Sequence, residues 1–375
     1  MNTDTRVVRS SGVDSLDFML FEGVNSYRNV APDAQLRWIR EAAAHHVTHS
    51  QVYQRLAAAQ KFTADQLERP ADLLRVPLIS SGSFKRRALA ASGSRQVKLC
   101  TSSGTSGTKS IVPRDGLTLE RYVGSVLHGI RDFLEDRERR QALVLGPPPH
   151  EVGDLWFTYS LSLAEVLNET DYFVSDGRLD SEALWRTLTT LESGVQPVII
   201  GPPSLLWDFL EWLSQQRRSL DLSAREAFIL TAGGWKLRID ESVDRDTFNR
   251  RIHDQLGLPA ERLRDVFNMV ELNTVIFECE KQQKHVPPWL HVSARRASDL
   301  EAVDEGESGI LAYLDPTALS YPAFILSDDL GRVSHQICGC GRRSAVMSID
   351  RRLRSIEERG CGLRMRTYAS QGTSR

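Results

Sequence analysis

The chain has 375 residues, more than a single hydrophobic core usually supports, so we expect two units, or one large domain with a smaller appended one. Its 47 lysines and arginines nearly balance 49 acidic residues, giving a formal net charge of −2 and no basic region of the kind that binds nucleic acid. The lack of a signal-peptide pattern and of any run of about 18 apolar residues predicts a cytoplasmic protein without a membrane span.

The N-terminal part of the sequence predicts helices and a short extended piece. Residues 1–15 are expected to form a disordered tail. Apolar residues recur at helical spacing between Pro32 and Ala59, which predicts two helices. Residues 76–79 are predicted to be extended, because Pro77 disfavours a helix there.

Strands and helices then alternate along the chain. Helical spacing of apolar residues predicts helices over residues 117–134, 181–191, 205–213 and 242–256. Short apolar runs, mostly ending in glycine or proline, predict strands at residues 143–145, 172–174, 197–200 and 227–232. This alternation indicates an α/β fold with mostly parallel sheets flanked by helices, whose ligands collect at the carboxyl ends of the strands. We expect the α/β unit to span residues 16–265 and a smaller β-rich section to span residues 266–350.

One loop, at residues 100–110, concentrates hydroxyl groups, two glycines and a lysine in the sequence C-T-S-S-G-T-S-G-T-K-S. A strand that delivers such a loop brings backbone N–H groups, hydroxyls and one ammonium to the same place, which suits a polyphosphate. The spacing excludes the Walker P-loop, because Thr108 separates Gly107 from Lys109. A surface loop rich in small residues is the alternative interpretation.

Three further stretches carry side chains suited to a nucleotide. Residues 233–235, G-G-W, end a predicted strand beside a large ring, and residues 267–271, F-N-M-V-E, place an aromatic ring four positions before a carboxylate. Residues 327–331, S-D-D-L-G, offer acidic acceptors in a turn. Taken singly, Glu271 and Asp329 are explained equally well as surface carboxylates.

The order of these motifs resembles the adenylate-forming superfamily of acyl-CoA ligases, luciferases and peptide-synthetase adenylation domains. Within it, the chain is most similar to the acyl-protein synthetase family, the fatty-acid-activating subunit of the bacterial bioluminescence reductase complex. The similarity extends from about Pro77 to Leu363. Residues 352–361, R-L-R-S-I-E-E-R-G-C, resemble that family's terminal motif G-R-I-D-x-S-E-x-R-G-C, with Arg351 and Arg354 in place of the usual glycine and aspartate.

The resemblance implies an adenylate-forming fold with a truncated C-terminal lid and a phosphate-binding role for the hydroxyl-rich loop. The residues that would cradle the β- and γ-phosphates of ATP are Thr101, Ser102, Ser103, Gly104, Thr105, Ser106, Gly107, Thr108 and Lys109.

The same resemblance implies the remaining nucleotide contacts. Glu271 would hold Mg²⁺, and Phe267, followed by Asn268, would stack on adenine. Gly233 and Gly234, beside Trp235, would let the backbone approach that ring. Asp329 would bind the ribose, and Arg352 would reach the ribose or a phosphate across a hinge. These residues complete the predicted cofactor site for ATP and Mg²⁺.

The implied reaction is attack of a fatty or aryl carboxylate on the α-phosphate of ATP, which forms an acyl-adenylate and releases pyrophosphate. The acyl group would then pass to Cys361, in a hinge and tail at residues 351–375, and on to a partner such as a reductase, a carrier or an acyltransferase. Arg359 and the flanking glycines favour a thiolate at Cys361, although an inert terminal cysteine is the alternative. Direct transfer to coenzyme A, a carrier protein or an amine would also fit the motifs, as would a non-catalytic nucleotide-binding subunit.

Four further residues form a potential zinc site, namely Cys279, His285, Cys338 and Cys340. Two pairs of soft ligands from separate segments suit a tetrahedral Cys₃His zinc ion, and the pattern resembles one in phenylacetate-CoA ligases. The alternative is three buried thiols and an unrelated histidine. Cys100, the remaining cysteine, is expected to be a buried strand residue.

Overall fold

The computed structural model describes residues 15–104, 108–134, 139–151, 153–166, 168–235 and 242–353. The predicted tail at residues 1–14, the central loop residues 105–107 and Cys361 lie outside this part of the chain.

Three helices begin the described chain, at Leu16–Glu22 (α1), Pro32–His49 (α2) and Gln51–Ala59 (α3). The last two confirm the predicted helices, whereas α1, at seven residues, is too short for its apolar spacing to stand out. A two-residue strand, Ile79–Ser80 (β1), and a single helical turn, Ser83–Arg86 (α4), follow. Short 3₁₀ turns lie at Ala64–Gln66 and Pro70–Arg75, and later at Pro149–Glu151, Leu163–Val166, Ser223–Arg225 and Ala260–Arg262.

A separate antiparallel hairpin carries the hydroxyl-rich loop. Its strands are Gln96–Thr101 (β2) and Ile111–Asp115 (β3), which pair so that Thr101 faces Ile111. Helix Gly116–Phe133 (α5) follows directly, because the Asp115 carboxylate accepts a hydrogen bond from the Thr118 amide at 2.8 Å and caps the first turn.

The middle of the chain builds the parallel half of a large sheet. Its elements are Arg140–Val144 (β4), Trp156–Ser162 (α6), Glu169–Tyr172 (β5), Val174–Ser175 (β6), Arg178–Leu179 (β7), Ser181–Thr190 (α7), Gln196–Gly201 (β8), Pro203–Gln215 (α8), Phe228–Ala232 (β9), Arg245–Leu256 (α9) and Leu263–Phe267 (β10). Strands β5, β4, β8, β9 and β10 lie side by side in that order, all parallel, while β6 and β7 form a small hairpin. Buried side chains of α7, α8 and α9 pack on this half.

The rest of the chain extends the same sheet with antiparallel strands. They are Ile276–Glu278 (β11), Lys284–His285 (β12), His291–Arg295 (β13), Gly309–Leu314 (β14), Phe324–Ser334 (β15) and Val346–Arg352 (β16). From β10 the order continues β11, β12, β16, β15, β14, β13, and β1 pairs in parallel with β15. Consequently β15, in the last third of the chain, adjoins the segment that leads into α4.

The α/β class is confirmed, and in the large sheet strands β5, β4, β8, β9 and β10 pair in parallel, whereas the strands from β10 to β13 in the sheet order pair antiparallel. The division into units at residue 265 stays a prediction. Among the helices that the structure describes, none is long and apolar enough to cross a membrane.

Candidate active site and metal centre

Backbone hydrogen bonds close the base of the hydroxyl-rich loop. The Ser102 amide donates to the Ser110 carbonyl at 3.1 Å, and the Ser110 amide donates to the Ser102 hydroxyl at 2.9 Å. Thr101, the last residue of β2, donates its amide to the Asp154 carbonyl at 2.7 Å. The loop is therefore held at its base by the hairpin and by the segment that precedes α6.

The described tip of the loop is exposed and includes a glycine in a left-handed conformation. Gly104 has φ of +66°, and a Cβ placed there would lie 2.7 Å from Cγ of Lys109. Glycine is therefore required both for the backbone angle and for the close approach of the lysine. Ser103, Thr108 and Lys109 are exposed to solvent.

Glu271 connects this loop to the large sheet. Its carboxylate is buried and accepts a hydrogen bond from the Ser110 side chain. Burial raises the pKa of Glu271 above its usual value, while the Ser110 hydrogen bond and the positive charge of Arg352 oppose that rise. A buried carboxylate at the base of a hydroxyl-rich loop is a chemically suitable ligand for Mg²⁺.

Two consecutive carboxylates and an arginine meet where β15 pairs with β16. Asp329 lies opposite Arg352 in this pairing, with Nε of Arg352 3.9 Å from Oδ1 of Asp329. The Leu353 amide donates to the Asp328 carbonyl at 2.7 Å, which fixes the end of β16 to the same part of β15. The prediction of a turn at residues 327–331 is wrong, because these residues pair with neighbouring strands in the interior of β15. Burial raises the pKa of Asp329, Arg352 lowers it, and the charge of Asp328 raises it further. The structure thus brings together Asp329 and Arg352, which are 23 positions apart in the sequence.

The glycine turn and Phe267 lie at the carboxyl ends of neighbouring strands. Because β9 and β10 are parallel with Ala232 opposite Val266, Gly233 follows its strand next to the position of Phe267. Gly233 and Gly234 have φ of +82° and +61°, angles that side chains rarely adopt. Adjacent strand ends with a glycine backbone leave room for a ligand to approach the main chain closely.

The aromatic rings at this edge also pack against the protein itself. Phe267 stacks on Tyr313 with ring centroids 6.0 Å apart. Trp235 makes edge contacts with Trp207 at 6.1 Å and with Phe248 at 6.3 Å, on the side of α8 and α9. Packing accounts for the position of Trp235, and its predicted proximity to a purine stays a prediction.

Asn268 shapes the turn that carries Glu271. Its amide oxygen accepts a hydrogen bond from the Trp156 indole at 2.5 Å, and its amide nitrogen donates to the carbonyls of Leu272 at 3.2 Å and Thr274 at 2.8 Å. These contacts support a positioning role, and direct contact of Asn268 with a nucleotide stays a prediction.

Arg114 is a buried residue of the candidate site that sequence reasoning missed. Its guanidinium is fully buried, and Nη2 donates to the Val270 carbonyl at 2.7 Å and to the Tyr321 hydroxyl at 3.1 Å. Nε donates to Asn273 at 3.0 Å, and the guanidinium stacks 3.6 Å from the ring centroid of Trp156. Arg114 therefore ties β3, next to the loop, to the backbone on both sides of Glu271. Its only signal in the sequence is a charged residue inside the apolar strand I-V-P-R-D.

The predicted zinc ligands form one cluster. The ligand atoms of Cys279, His285, Cys338 and Cys340 all lie within 4.8 Å of one another. Sγ of Cys279 is 3.8 Å from Sγ of Cys338, and Nε2 of His285 is 3.3 Å from Sγ of Cys340. Ligands at tetrahedral zinc distances are separated by about 3.8 Å for two sulfurs and about 3.6 Å for sulfur and nitrogen. The cluster therefore fits a zinc ion.

The surroundings of the cluster favour the zinc-binding forms of His285 and Cys340, whereas burial raises the pKa of Cys279, to about 12, and that of Cys338. Nδ1 of His285 is 3.1 Å from the Ser344 hydroxyl, which leaves Nε2 directed at the thiols, and burial lowers the pKa of His285 to about 4. Burial raises the pKa of Cys340, but hydrogen bonds from Arg342 outweigh this and leave it below its usual value. Neutral imidazole and a thiolate are the forms that bind zinc.

Comparison with known proteins gives the family. A family model described as acyl-protein synthetase, LuxE, matches residues 10–369. The long-chain-fatty-acid–luciferin-component ligase of Vibrio harveyi is 35% identical over 298 residues, which cover 78% of this chain and 78% of that enzyme. The ligase of the same name from Aliivibrio fischeri is 32% identical over 364 residues, covering 96% of this chain and 95% of that enzyme.

Solved structures with a similar fold are adenylate-forming ligases. An open conformation of 2-hydroxyisobutyryl-CoA ligase, in complex with 2-HIB-AMP and CoA, aligns with a TM-score of 0.63 at 13% identity and covers 84% of this chain and 67% of that one. A long-chain-fatty-acid-CoA ligase from Archaeoglobus fulgidus aligns at 0.50 with 12% identity, covering 68% of this chain and 51% of that one. These likenesses show the fold, and the family model and sequence relatives show that the chain is an adenylate-forming ligase of the LuxE acyl-protein synthetase family.

Proposed function

We propose that this ligase activates a long-chain fatty acid with ATP, transfers the acyl group to its own Cys361, and passes it on to a protein partner. The observation that carries the proposal is the connection of the hydroxyl-rich loop to Glu271 through Ser110, beside the paired Asp329 and Arg352. The names of the two sequence relatives support the choice of a long-chain acid, and the description of the family model supports a protein acceptor.

The loop and Glu271 form the phosphate end of the proposed site. Residues 101–109 supply hydroxyls, backbone N–H groups and the Lys109 ammonium to the β- and γ-phosphates. Glu271 supplies a carboxylate oxygen to Mg²⁺, which, when bound, neutralises charge on the phosphates. Ser110 and Arg114 orient the Glu271 segment through the hydrogen bonds described above.

The glycine turn and the middle of β15 form the nucleoside end of the proposed site. Gly233, Gly234 and Phe267 contact adenine, Asp329 accepts hydrogen bonds from the ribose hydroxyls, and Arg352 reaches the ribose or the α-phosphate. The position of the glycine turn beside Phe267, and the in-register pairing of Asp329 with Arg352, support these assignments.

Two displacements make up the reaction. A carboxylate oxygen of the acid attacks the α-phosphorus of ATP, the bond to the bridging oxygen breaks, and pyrophosphate leaves. The Cys361 thiolate then attacks the acyl carbonyl, and AMP leaves with the electron pair of the broken bond. The thioester retains enough reactivity to acylate a partner.

An acid panel tests the proposed substrate. Octanoic, decanoic, dodecanoic, tetradecanoic and benzoic acids would be compared in ATP–pyrophosphate exchange. Each methylene buried in the acyl site contributes about 0.8 kcal/mol, so kcat/KM should rise about fourfold per added methylene until the site is full. Equal exchange with benzoic and tetradecanoic acids would contradict the long-chain assignment. No exchange with any acid would favour a nucleotide-binding subunit.

Replacing Cys361 by serine tests the acyl acceptor. The C361S variant should keep ATP–pyrophosphate exchange but lose labelling of the protein by radioactive acid, because only the second displacement needs the thiol. C100S is the matched control, since Cys100 is buried in β2 and should not affect labelling. Labelling that survives in C361S would contradict the self-acylation step.

We also propose that Cys279, His285, Cys338 and Cys340 hold a structural zinc ion. The cluster joins the β11–β12 hairpin to the loop that precedes β16, two segments about 50 positions apart in the sequence. All four ligand positions are filled by protein side chains, which is typical of a structural rather than a catalytic zinc site.

A further inference from the structure

The pairing of β1 with β15 places α4 beside the part of β15 that is proposed to bind the ribose. Ile79 faces Ile325 and Ser80 faces Leu326, and the Ser81 amide donates to the Leu326 carbonyl at 2.9 Å. Within β15, Leu326 is followed directly by Ser327 and the two aspartates. The chain thus enters α4 next to Asp328 and Asp329.

Buried packing then fixes the direction of α4. The side chain of Phe84 is fully buried and packs edge-on against Tyr321, with ring centroids 5.9 Å apart. The next residue is Lys85, whose side chain is 28% exposed and whose Nζ lies 3.9 Å from Oδ2 of Asp328. The buried packing of Phe84 therefore fixes the neighbouring Lys85 beside Asp328.

Each of the two adjacent aspartates faces one cation at the same distance. Lys85 lies 3.9 Å from Asp328, and Arg352 lies 3.9 Å from Asp329. Charge-assisted hydrogen bonds are usually about 2.7–2.9 Å long. Both pairs therefore attract electrostatically without forming a hydrogen bond. By contrast, Arg245 and Glu278 are 2.7 Å apart.

A loosely paired ammonium keeps its N–H donors for a ligand. The Ser81 hydroxyl, four residues earlier, is also buried and has no hydrogen-bond partner in the described part of the chain. In a nucleotide the α-phosphate is one carbon away from the ribose ring. A ribose bound to Asp329 would therefore bring the α-phosphate within reach of Lys85 and Arg352, the cations beside Asp328 and Asp329.

We infer that Lys85 donates to the α-phosphate of the bound nucleotide and of the acyl-adenylate, from the side opposite Arg352. The inference rests on the proposed function, which puts the ribose at Asp329. Negative charge builds on the α-phosphate oxygens as the carboxylate attacks, and a fixed ammonium there stabilises the transition state. Asp328 holds the ammonium in place.

The test compares AMP with adenosine, which differ only in the α-phosphate. Calorimetric titration would measure both ligands with the unaltered chain, K85M, K85R and R87M. The unaltered chain should bind AMP more tightly than adenosine. K85M should lose about tenfold in AMP affinity with adenosine affinity unchanged, because a charged hydrogen bond is lost. K85R should retain most of the AMP affinity.

Arg87 is the matched control, because it carries the same charge two residues away and is exposed. R87M should bind both ligands as the unaltered chain does. Equal loss of AMP and adenosine affinity in K85M would show that Lys85 only supports Asp328, and would overturn the inference. An unaltered chain that binds neither ligand would overturn the proposed nucleotide site, and the role of Lys85 with it.

Discussion

Replacing Glu271 by glutamine should abolish most ATP–pyrophosphate exchange and leave the ligand-free protein as stable as before, or more stable. The variant loses a charged ligand for Mg²⁺ at the phosphates, and loss of one preorganised electrostatic contact costs about 100-fold or more in rate. The stability result follows from burial, which raises the pKa of Glu271. The ionised side chain therefore opposes folding, and the neutral amide removes that cost.

The difference in stability between E271Q and the unaltered chain should change with pH in one direction. A raised pKa means that the folded chain binds the Glu271 proton more tightly than the unfolded chain does. The contribution of Glu271 to stability is thus fully present below the unfolded-state pKa and is lost as pH rises through the folded-state pKa. The advantage of E271Q should therefore be absent in acid and greatest at neutral pH, as measured by urea unfolding over a pH series.

Glu278 provides a matched control for the same substitution. Its carboxylate is equally buried but lies 2.7 Å from Arg245 and 3.5 Å from Lys284, and it accepts the Asp265 amide at 2.8 Å. E278Q should lose about 3 kcal/mol of unfolding free energy, because the buried carboxylate that pairs with the partly exposed Arg245 and Lys284 loses its charge, and should keep pyrophosphate exchange. If E271Q were destabilised like E278Q and kept its activity, Glu271 would be a structural residue and the magnesium assignment would be wrong.

Freshly purified protein should contain about one zinc ion per chain, and loss of that ion should strongly destabilise the fold. Structural zinc contributes a binding free energy on the order of 10 kcal/mol to the folded state. C338S removes the partly exposed ligand of the cluster and should lower both zinc content and the thermal midpoint. Elemental analysis and thermal unfolding, with and without chelator, measure the two effects.

C100S separates zinc loss from the general effect of replacing a thiol. Cys100 is buried in β2 and does not belong to the cluster, so this variant should keep its zinc. Protein that contains no zinc when purified without chelator would refute the site. The four residues would then be three buried thiols and a histidine that pack together.

Local patterns in the sequence were sufficient for the parallel half of the fold. The strands β4, β8 and β9 are short apolar runs ending in glycine, proline or a small residue, and helices with one apolar face separate them. The cluster of three cysteines and one histidine was also predictable, because cysteine and histidine are uncommon and their short spacings stand out. Each of these features is recognised from residues that are close to one another in the sequence.

The parts of the site that escaped prediction depend on contacts between distant segments. Arg114 meets Val270 and Asn273 more than 150 positions away, as Ser110 meets Glu271. Lys85 reaches Asp328 only because β1 pairs with β15 in one particular register. A single sequence does not reveal such a register, since any apolar pair of strands would fit the pattern equally well.

The hydrogen bond from the Leu353 amide to the Asp328 carbonyl limits how far the Cys361 thiol can lie from Asp328. This limit sets the effective concentration of the thiol at the proposed site. Cys361 follows Leu353 by eight residues, and eight fully extended residues span at most about 28 Å. Whatever its conformation, the thiol is confined to a sphere of that radius about Asp328, which corresponds to a concentration on the order of 10 mM or more. An acyl-adenylate formed beside Asp329, as proposed, would therefore meet this thiol far more often than it would meet a free thiol at micromolar concentration. The proposed transfer within the chain would gain its advantage from tether length alone, before any specific contact favours Cys361.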